Sequence, residues 1–523
     1  MSQPAYQPLP PLQGTQRLLG TIALSAATFM NVLDSSIANV SLPSIAGDLG
    51  VSPNQGTWVI TSFGVANAIA LPLTGWLSQR FGQVRLFMAS VILFVIASWM
   101  CGLAPNMSTL IAMRAVQGFV SGPMMPLAQT LLLSSYPPAL AGIAMALWAM
   151  TTLVAPVTGP VLGGWITDHM HWGWIFFINI PVGFIAAFFT WSIYHKRETP
   201  TRKLPIDKVG LALLVIAVTA LQIMLDEGKE LDWFQSPVVI GLAVLSVIGF
   251  AFFIAWELTE EHPVVDLRLL KVRNFWTGTV ALSVAYSLFM GNLVLLPLWL
   301  QQFMSYTSTQ AGMLMAPVGL FAIILSPWVG KNISKHDPRT FATFAFIVFG
   351  TVLWMRSRFN TQADFTTLMI PTVIQGIALA FFFIPLTGII LGGLPPEKIP
   401  SASGLSSFAR IIGGSFGTSI AVSVWQDRAA SHHAELAELV NRGSVATNDA
   451  LSGLGAVGMD PTQSLSMINR LVDQQAFMLA ADDVFLASAS IFILLIPLVW
   501  LARPRKATGA AAAAAADAAA GAH

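Results

Sequence analysis

Residues 29–43 read FMNVLDSSIANVSLP, which sets Asp34 in the middle of an apolar run reaching from about Leu18 to Leu42. A helix of that length crosses a hydrocarbon core of about 30 Å, so an ionisable side chain lies at membrane depth. The rest of the chain is of the same kind. Of its 523 residues 55% are hydrophobic and 10% charged, against about 25% charged in soluble domains. Apolar windows of about 20 residues recur along nearly the whole length, the mark of a polytopic helical protein and not of a domain with an anchor. The first run has no small-residue cleavage site behind it and reads as a retained span. A net charge of +1 gives no sign of a nucleic-acid partner, and none is expected. Cys101 is the only cysteine, so neither an internal disulfide nor a thiolate cluster can form.

Loops rich in Pro, Gly and charge delimit fourteen expected spans, near 18–41, 57–79, 84–103, 108–133, 140–166, 173–194, 208–226, 237–257, 276–299, 308–330, 340–356, 366–391, 401–425 and 483–502. With the N-terminus inside, about 18 Lys and Arg residues fall on the cytoplasmic side and about 6 outside, which predicts two cytoplasmic termini. Arg114 and Arg410 remain within spans.

Residues 114–160 repeat in residues 372–418. Gln117-Gly118 and Pro137-Pro138 recur as Gln375-Gly376 and Pro395-Pro396 at an offset of 258, and Pro126-Leu127 recurs one residue later as Pro385-Leu386. The offset relates two helices that enter from the same side, so the halves are parallel repeats of six spans, an architecture of secondary transporters. The spans near 208–226 and 237–257 are then an inserted pair. The expected organisation is an N-terminal segment 1–17, a six-helix bundle 18–194, a linker with two spans 195–274, a second bundle 275–502 with an outer segment 426–481, and a tail 503–523. The tail, GAAAAAADAAAGAH from Gly509, is low-complexity with no face to bury and is expected to fray.

Helical rise puts Asp34 about 22 Å along the first span and about 8 Å below the outer boundary, while Arg114 lies about 10 Å below it on the fourth. A charge in lipid is costly unless paired or facing water, so the two are expected to pair. A static structural pair is the plainer reading; against it, the repeat places Thr372 opposite Arg114, so the bundle does not need the charge. Desolvation and a cationic neighbour shift a carboxylate's proton affinity in opposite directions. Movement of substrate or helix can therefore toggle a proton. Asn31 precedes Asp34, and Gln117 and Ser121 follow Arg114, at helical spacing, giving each helix a polar stripe that either meets substrate or joins helices by hydrogen bonds. Residues 155–164, APVTGPVLGG, combine Gly159, Gly163 and Gly164, which admit close helix approach, with Pro160, which removes a backbone bond and favours a hinge. In GWLSQRFGQVR, residues 75–85, Gly75 permits packing and Gly82 a turn, and Arg80 and Arg85 can meet helix ends or a carboxylate.

These motifs, with RAVQG at 114–118, WVITSFGVANAIALPLTGWL and HWGWIFFINIPVG, resemble the major facilitator superfamily, its fourteen-span drug:proton antiporter branch and, most nearly, EmrB-type multidrug exporters. The resemblance implies a major facilitator fold of two six-helix bundles and two inserted helices, and export of hydrophobic or amphipathic compounds against proton influx. Asp34 and Arg114 would carry coupling, and GPVLGG would be the antiporter signature. One departure is Gln79, where the loop motif usually has an acidic residue. No G-x-x-x-x-G-K-[ST] loop occurs, which leaves an ion gradient as energy source. No metal or organic cofactor is expected, with protons as the coupling ion. The substrate cavity is expected between the halves, near Tyr286, Phe289, Asn292, Gln375, Phe382 and Phe383. A proton-coupled transporter of one endogenous substrate is the serious alternative. An embedded enzyme lacks a convergent nucleophile and base, and a non-transporting sensor or scaffold would show no flux.

The segment 426–481 far exceeds the usual connection of about 2–8 residues between bundled helices. HHAELAELV (432–440) and SMINRLVDQQAFMLAADDVF (466–485) carry helical periodicity, and SGLGAVGMDP (452–461) would join them as a helical hairpin outside the membrane. The resemblance implies a bacterial inner membrane, a periplasmic adaptor as the hairpin's partner, and an outer-membrane channel beyond it.

Overall fold

Polar caps mark where the helices begin. The Asn106 side chain accepts from Thr109 N at 2.9 Å and that of Asp364 accepts from Thr367 N at 3.0 Å. These caps open corresponding helices of the two halves, so the repeat offset of 258 extends to the helix starts. The computed structural model describes residues 10–503 except 203, 204, 229, 334 and 442. Most of the expected N-terminal segment and the Ala-rich tail lie outside the described residues, as does the side chain of Pro160.

The first half consists of α1 (Gly14–Asp48), α2 (Pro53–Phe81), α3 (Gln83–Gly102), α4 (Met107–Ser121), α5 (Met124–Ser135), α6 (Ala141–His169), α7 (Trp174–Phe177) and α8 (Asn179–Tyr194). Then come α9 (Lys208–Glu227) and α10 (Pro237–Thr259). The second half holds α11 (Arg273–Phe303), α12 (Ser308–Asn332), α13 (Pro338–Arg356), α14 (Phe365–Ala380), α15 (Phe383–Leu391), α16 (Ile399–Leu439), α17 (Val445–Ala456) and α18 (Pro461–Trp500). Among the described residues eleven helical segments are long and apolar enough to cross a membrane. The three other expected spans, 108–133, 140–166 and 401–425, fall on α4–α5, α6 and α16; Arg114 dilutes the apolar run of the first and the Ser- and Gly-rich start of α16 that of the last, while α6 is apolar over Ala141–Pro156.

Two expected continuous spans are each broken into a pair of helices, α4/α5 and α14/α15. Pro126 and Pro385 lack the N–H that would bond the carbonyls of Gly122 and Phe381, so both halves break at the repeated proline. The expected span 173–194 is likewise split, at Ile178 between α7 and α8.

The halves meet at the end of the bundle that carries both described chain ends. A Cβ on Gly75 of α2 would overlap Ser401 of α16, and one on Gly404 would come within 2.5 Å of the Leu71 carbonyl. Close by, Ser403 donates to Gln129 across the same seam. The inserted pair is joined to the bundle: Ser419 Oγ of α16 donates to the Leu225 carbonyl of α9 at 2.9 Å.

The second stem of the hairpin runs directly into the last span as α18, in line with its periodicity, and the first is an extension of α16; the connection differs from its expected form, holding a helix of its own, α17, capped by Ser444 and stopped before Gly458 at φ 90°. The stems are tied by Arg428 to Asp483 at 2.7 Å and by Trp425 Nε1 donating to the Phe477 carbonyl at 2.9 Å. Leu439, Val445, Val457, Leu465 and Leu471 remain exposed along it.

Candidate functional site: a carboxylate cluster and an aromatic wall

Asp34 and Arg114 are both fully buried, and the guanidinium Nη1 donates to Asp34 Oδ2. The depths expected from helical rise thus bring α1 and α4 into register. Arg114 Nη1 also donates to Gln117 Oε1 at 2.8 Å, its Nε to the Val59 carbonyl at 3.0 Å, and its Cζ lies 4.3 Å from the centre of the Phe63 ring. The other carboxylate oxygen, Oδ1, accepts from Gln117 Nε2 at 3.0 Å and from Asn179 Nδ2 at 2.8 Å. Asn179 in turn donates to Ser98 Oγ at 3.0 Å. A buried ion pair needs such extra bonds to offset its lost hydration. Side chains of α4 and α8 converge on the α1 carboxylate, with α3 joined through Asn179, so its charge state bears on how these helices pack.

Asn31 and Ser121 adjoin the cluster: Asn31 Nδ2 donates to the Ser121 carbonyl at 3.2 Å, and Asn67 Nδ2 to Ser121 Oγ at 2.7 Å. Sequence reading missed Asn179, Ser98 and Asn67. Asn179 lies inside HWGWIFFINIPVG, singled out as a motif with no role given to its asparagine.

Gly159 and Gly163 set α6 against α1. A Cβ at Gly159 would overlap Ser36, and one at Gly163 would lie 2.8 Å from Ile37 Cγ1, while Gly164 faces open space. In the loop motif Gly82 takes φ 90° between α2 and α3, and a Cβ there would overlap the Glu198 carboxylate. Glu198 accepts from the backbone N–H groups of Val84 at 3.1 Å and Arg85 at 2.8 Å, and lies 3.9 Å from Arg85 Nε. The α2–α3 turn therefore has its carboxylate, brought from beyond α8, although Gln79 stands at the usual acidic position. Arg80 lies against the rings of Trp76 and Phe81 at the same turn.

In the second half, Tyr286 is 6.1 Å from Phe383 and 6.3 Å from Phe289, ring centre to centre. Phe382 continues this wall into the interior, where it is wholly buried against Phe346 and Phe349. Asn292 and Gln375 turn inward to their own half. Asn292 Nδ2 donates to Ser488 Oγ at 3.1 Å, and Gln375 Oε1 accepts from Arg356 at 2.7 Å. Arg356, expected as the end of a span, is a third basic residue inside the bundle and is fully buried, with Nε and Nη1 unpartnered among the described residues.

Two parallel helical halves, the first holding a buried ion pair, point to a membrane transporter. The Major Facilitator Superfamily model matches residues 24–418, and the chain belongs to that superfamily. It is 51% identical to the multidrug export protein EmrB of Escherichia coli over 495 residues, 94% of this chain and 97% of that protein. It is 47% identical to the fatty acid resistance protein FarB of Neisseria gonorrhoeae over 495 residues, 95% and 98% of the two chains. The fold matches the human organic anion transporter MFSD10 with a TM-score of 0.59 at 12% identity, covering 93% of this chain and all of that one.

Proposed function

We propose that this chain exports hydrophobic or amphipathic toxic compounds across a bacterial inner membrane in exchange for protons, with Asp34 as the proton carrier. The observation that carries this reading is the fully buried Asp34, held at once by Arg114, Gln117 and Asn179. A proton on the carboxylate cancels the charge that Arg114 neutralises. The carboxylate then weakens as the acceptor of Arg114, Gln117 and Asn179 together, and α1 is freed to shift against α6, where Gly159 and Gly163 admit close approach. The names of the similar proteins, one for multidrug export and one for fatty acid resistance, support an exporter of varied apolar compounds.

The Lys and Arg bias supports a cytoplasmic position for both termini and a periplasmic one for the α16–α17–α18 hairpin. Its exposed Leu439, Val445, Val457, Leu465 and Leu471 support docking of a periplasmic adaptor that leads to an outer-membrane channel.

The test is transport in proteoliposomes under an imposed pH gradient. The wild type should move a lipophilic dye with opposite proton flux, and Asp34→Asn should insert normally yet lose this exchange by about 100-fold or more, since no proton can be carried. Normal gradient-driven exchange by the variant would remove Asp34 from this role. Deleting residues 430–478 should abolish adaptor co-purification while vesicle exchange survives.

A further inference from the structure

Arg410 lies on α16, eleven residues beyond Ile399, where the helix starts at the sealed end of the bundle, about 17 Å along at the helical rise. It is only 7% exposed, yet among the described residues its guanidinium has neither an ion-pair partner nor a hydrogen bond; its Cζ rests 4.8 Å from the centre of the Tyr286 ring. A largely buried cation with no counter-ion leaves its donors open to water or to a ligand that supplies an acceptor. Arg410 lines a small cavity between the halves, to which the first half contributes Gln129 and Trp148 and the second Thr387, Phe383 and Ser406. The Trp148 indole N–H is buried and also without a partner. Two idle donors, one of them charged, thus line one cavity beside the Tyr286–Phe383–Phe289 wall.

We propose that Arg410 anchors the negatively charged head of amphipathic organic anions, carboxylates and sulfonates above all, whose apolar body lies along this aromatic wall. The guanidinium offers a planar fork that matches such a head, and a lysine offers only a point charge. The cavity as it stands, about 10 Å³, has room for about one water, so the halves part at the Gly75–Ser401 seam for an anion to enter. The inference rests on the export reading, whose cargo it narrows, and selectivity for charge then resides in the second half while the proton resides in the first.

The experiment compares three probes that share one aromatic body: naphthoate, naphthalenemethanol and naphthylmethylamine, titrated calorimetrically into the full chain in lipid nanodiscs. The wild type should bind naphthoate about tenfold or more tighter than the alcohol, the amine being weakest, and Arg410→Gln should bring the ratio of acid to alcohol to about one while alcohol binding stays. Arg410→Lys, which keeps the charge, should retain part of the preference and covers the case in which the glutamine variant fails to fold. A wild type that does not prefer the acid, or a preference that survives in Arg410→Gln, overturns the proposal. Failure of the export reading is separable: preference for the acid with no gradient-driven flux would sink export and leave the anion site standing.

Discussion

The two halves place different chemistry on equivalent positions. At the repeat offset of 258, Asp34 corresponds to Asn292, Ser98 to Arg356, Arg114 to Thr372 and Gln117 to Gln375. In the first half these positions build a cluster around a carboxylate, with the arginine on α4. In the second the arginine has moved to α13, at the position of Ser98, where it still reaches Thr372 at 3.3 Å and Gln375 at 2.7 Å but meets no carboxylate. One scaffold thus accommodates a neutral pair or a lone cation, and neither is demanded by the fold. The difference teaches that the fold itself does not require the Asp34–Arg114 pair, since the other half packs without one.

The largest effect should come from removing the two arginines one at a time. Arg114→Gln leaves Asp34 buried without its counter-ion and should cost about 3–5 kcal/mol of unfolding free energy, measured by denaturant or thermal unfolding in nanodiscs. Arg356→Gln removes two unpartnered donors and should leave stability unchanged or raise it by about 1–3 kcal/mol, the penalty of a buried unsatisfied group. Equal destabilisation by both would break the comparison, because Arg356 would then have a counter-ion of its own in the membrane.

The first-half pair was legible because helical rise alone fixes depth, and depth alone brings Asp34 to Arg114. Asn179 and Ser98 were not, because which helix stands next to α1 is a matter of tertiary packing that no local pattern encodes. Arg356 closes α13, where a basic residue ordinarily reaches for the interface. The repeat offset from Ser98 was the one signal that could have marked its position as interior. Glu198 escaped for the opposite reason. The acidic residue was sought within GWLSQRFGQVR, and the chain supplies it from 113 residues beyond Arg85. The expected aromatic lining divided, with Tyr286 and Phe383 at the cavity and Phe382 in the core, because neighbouring residues on a broken helix face different ways.

A smaller contrast separates the glycine seams. Between α1 and α6 the nearest atoms to a Cβ on Gly159 belong to the Ser36 side chain, with Ile37 N at 3.2 Å, and the nearest to Gly163 is Ile37 Cγ1, with the Ile37 carbonyl oxygen at 3.1 Å. Between α11 and α16 they are backbone: a Cβ on Gly413 would lie 2.7 Å from the Ser283 carbonyl oxygen, one on Gly291 would lie 2.6 Å from that of Gly417, and one on Gly417 would overlap Ser287. The closest atoms at the first seam are side chains, which yield more readily than carbonyls, so the first seam is the looser of the two. Gly417→Ala should cost about 1–3 kcal/mol, and Gly163→Ala under about 1 kcal/mol, in the same unfolding assay. Gly159→Leu or Gly163→Leu should block exchange while ligand binding partly persists. Wild-type exchange in both leucine variants would remove the sliding role, and equal stability costs for the two alanine variants would make the seams alike.

The smallest effects lie at the turns before α3 and α13, where each half caps a helix with a carboxylate in a different way. The second half uses a local group: Asp337 accepts from Arg339 N at 2.9 Å and from the Arg339 guanidinium, whose Nε lies 2.9 Å from Oδ2. The hydrogen bond from the Arg339 side chain holds this carboxyl below its ordinary value. A carboxyl depressed in the fold contributes stability above the unfolded value of about 3.9, and loses it as pH falls through the lower folded value. Asp337→Asn, which keeps a capping side chain but removes the charge facing Arg339, should therefore cost about 1 kcal/mol near neutrality, and the gap to the wild type should close below about pH 4. The first half instead borrows Glu198, which ties the segment after α8 to the α2–α3 turn. Glu198→Gln should cost about as much stability, roughly 1 kcal/mol, but should also slow exchange several-fold, because it loosens a joint between parts of the first half and the inserted pair. Unfolding scans at several pH values and gradient-driven flux on the same samples separate the two turns. Slowed exchange in Asp337→Asn equal to that in Glu198→Gln would show that both turns work as joints, and that the borrowed carboxylate only replaces the one missing at Gln79.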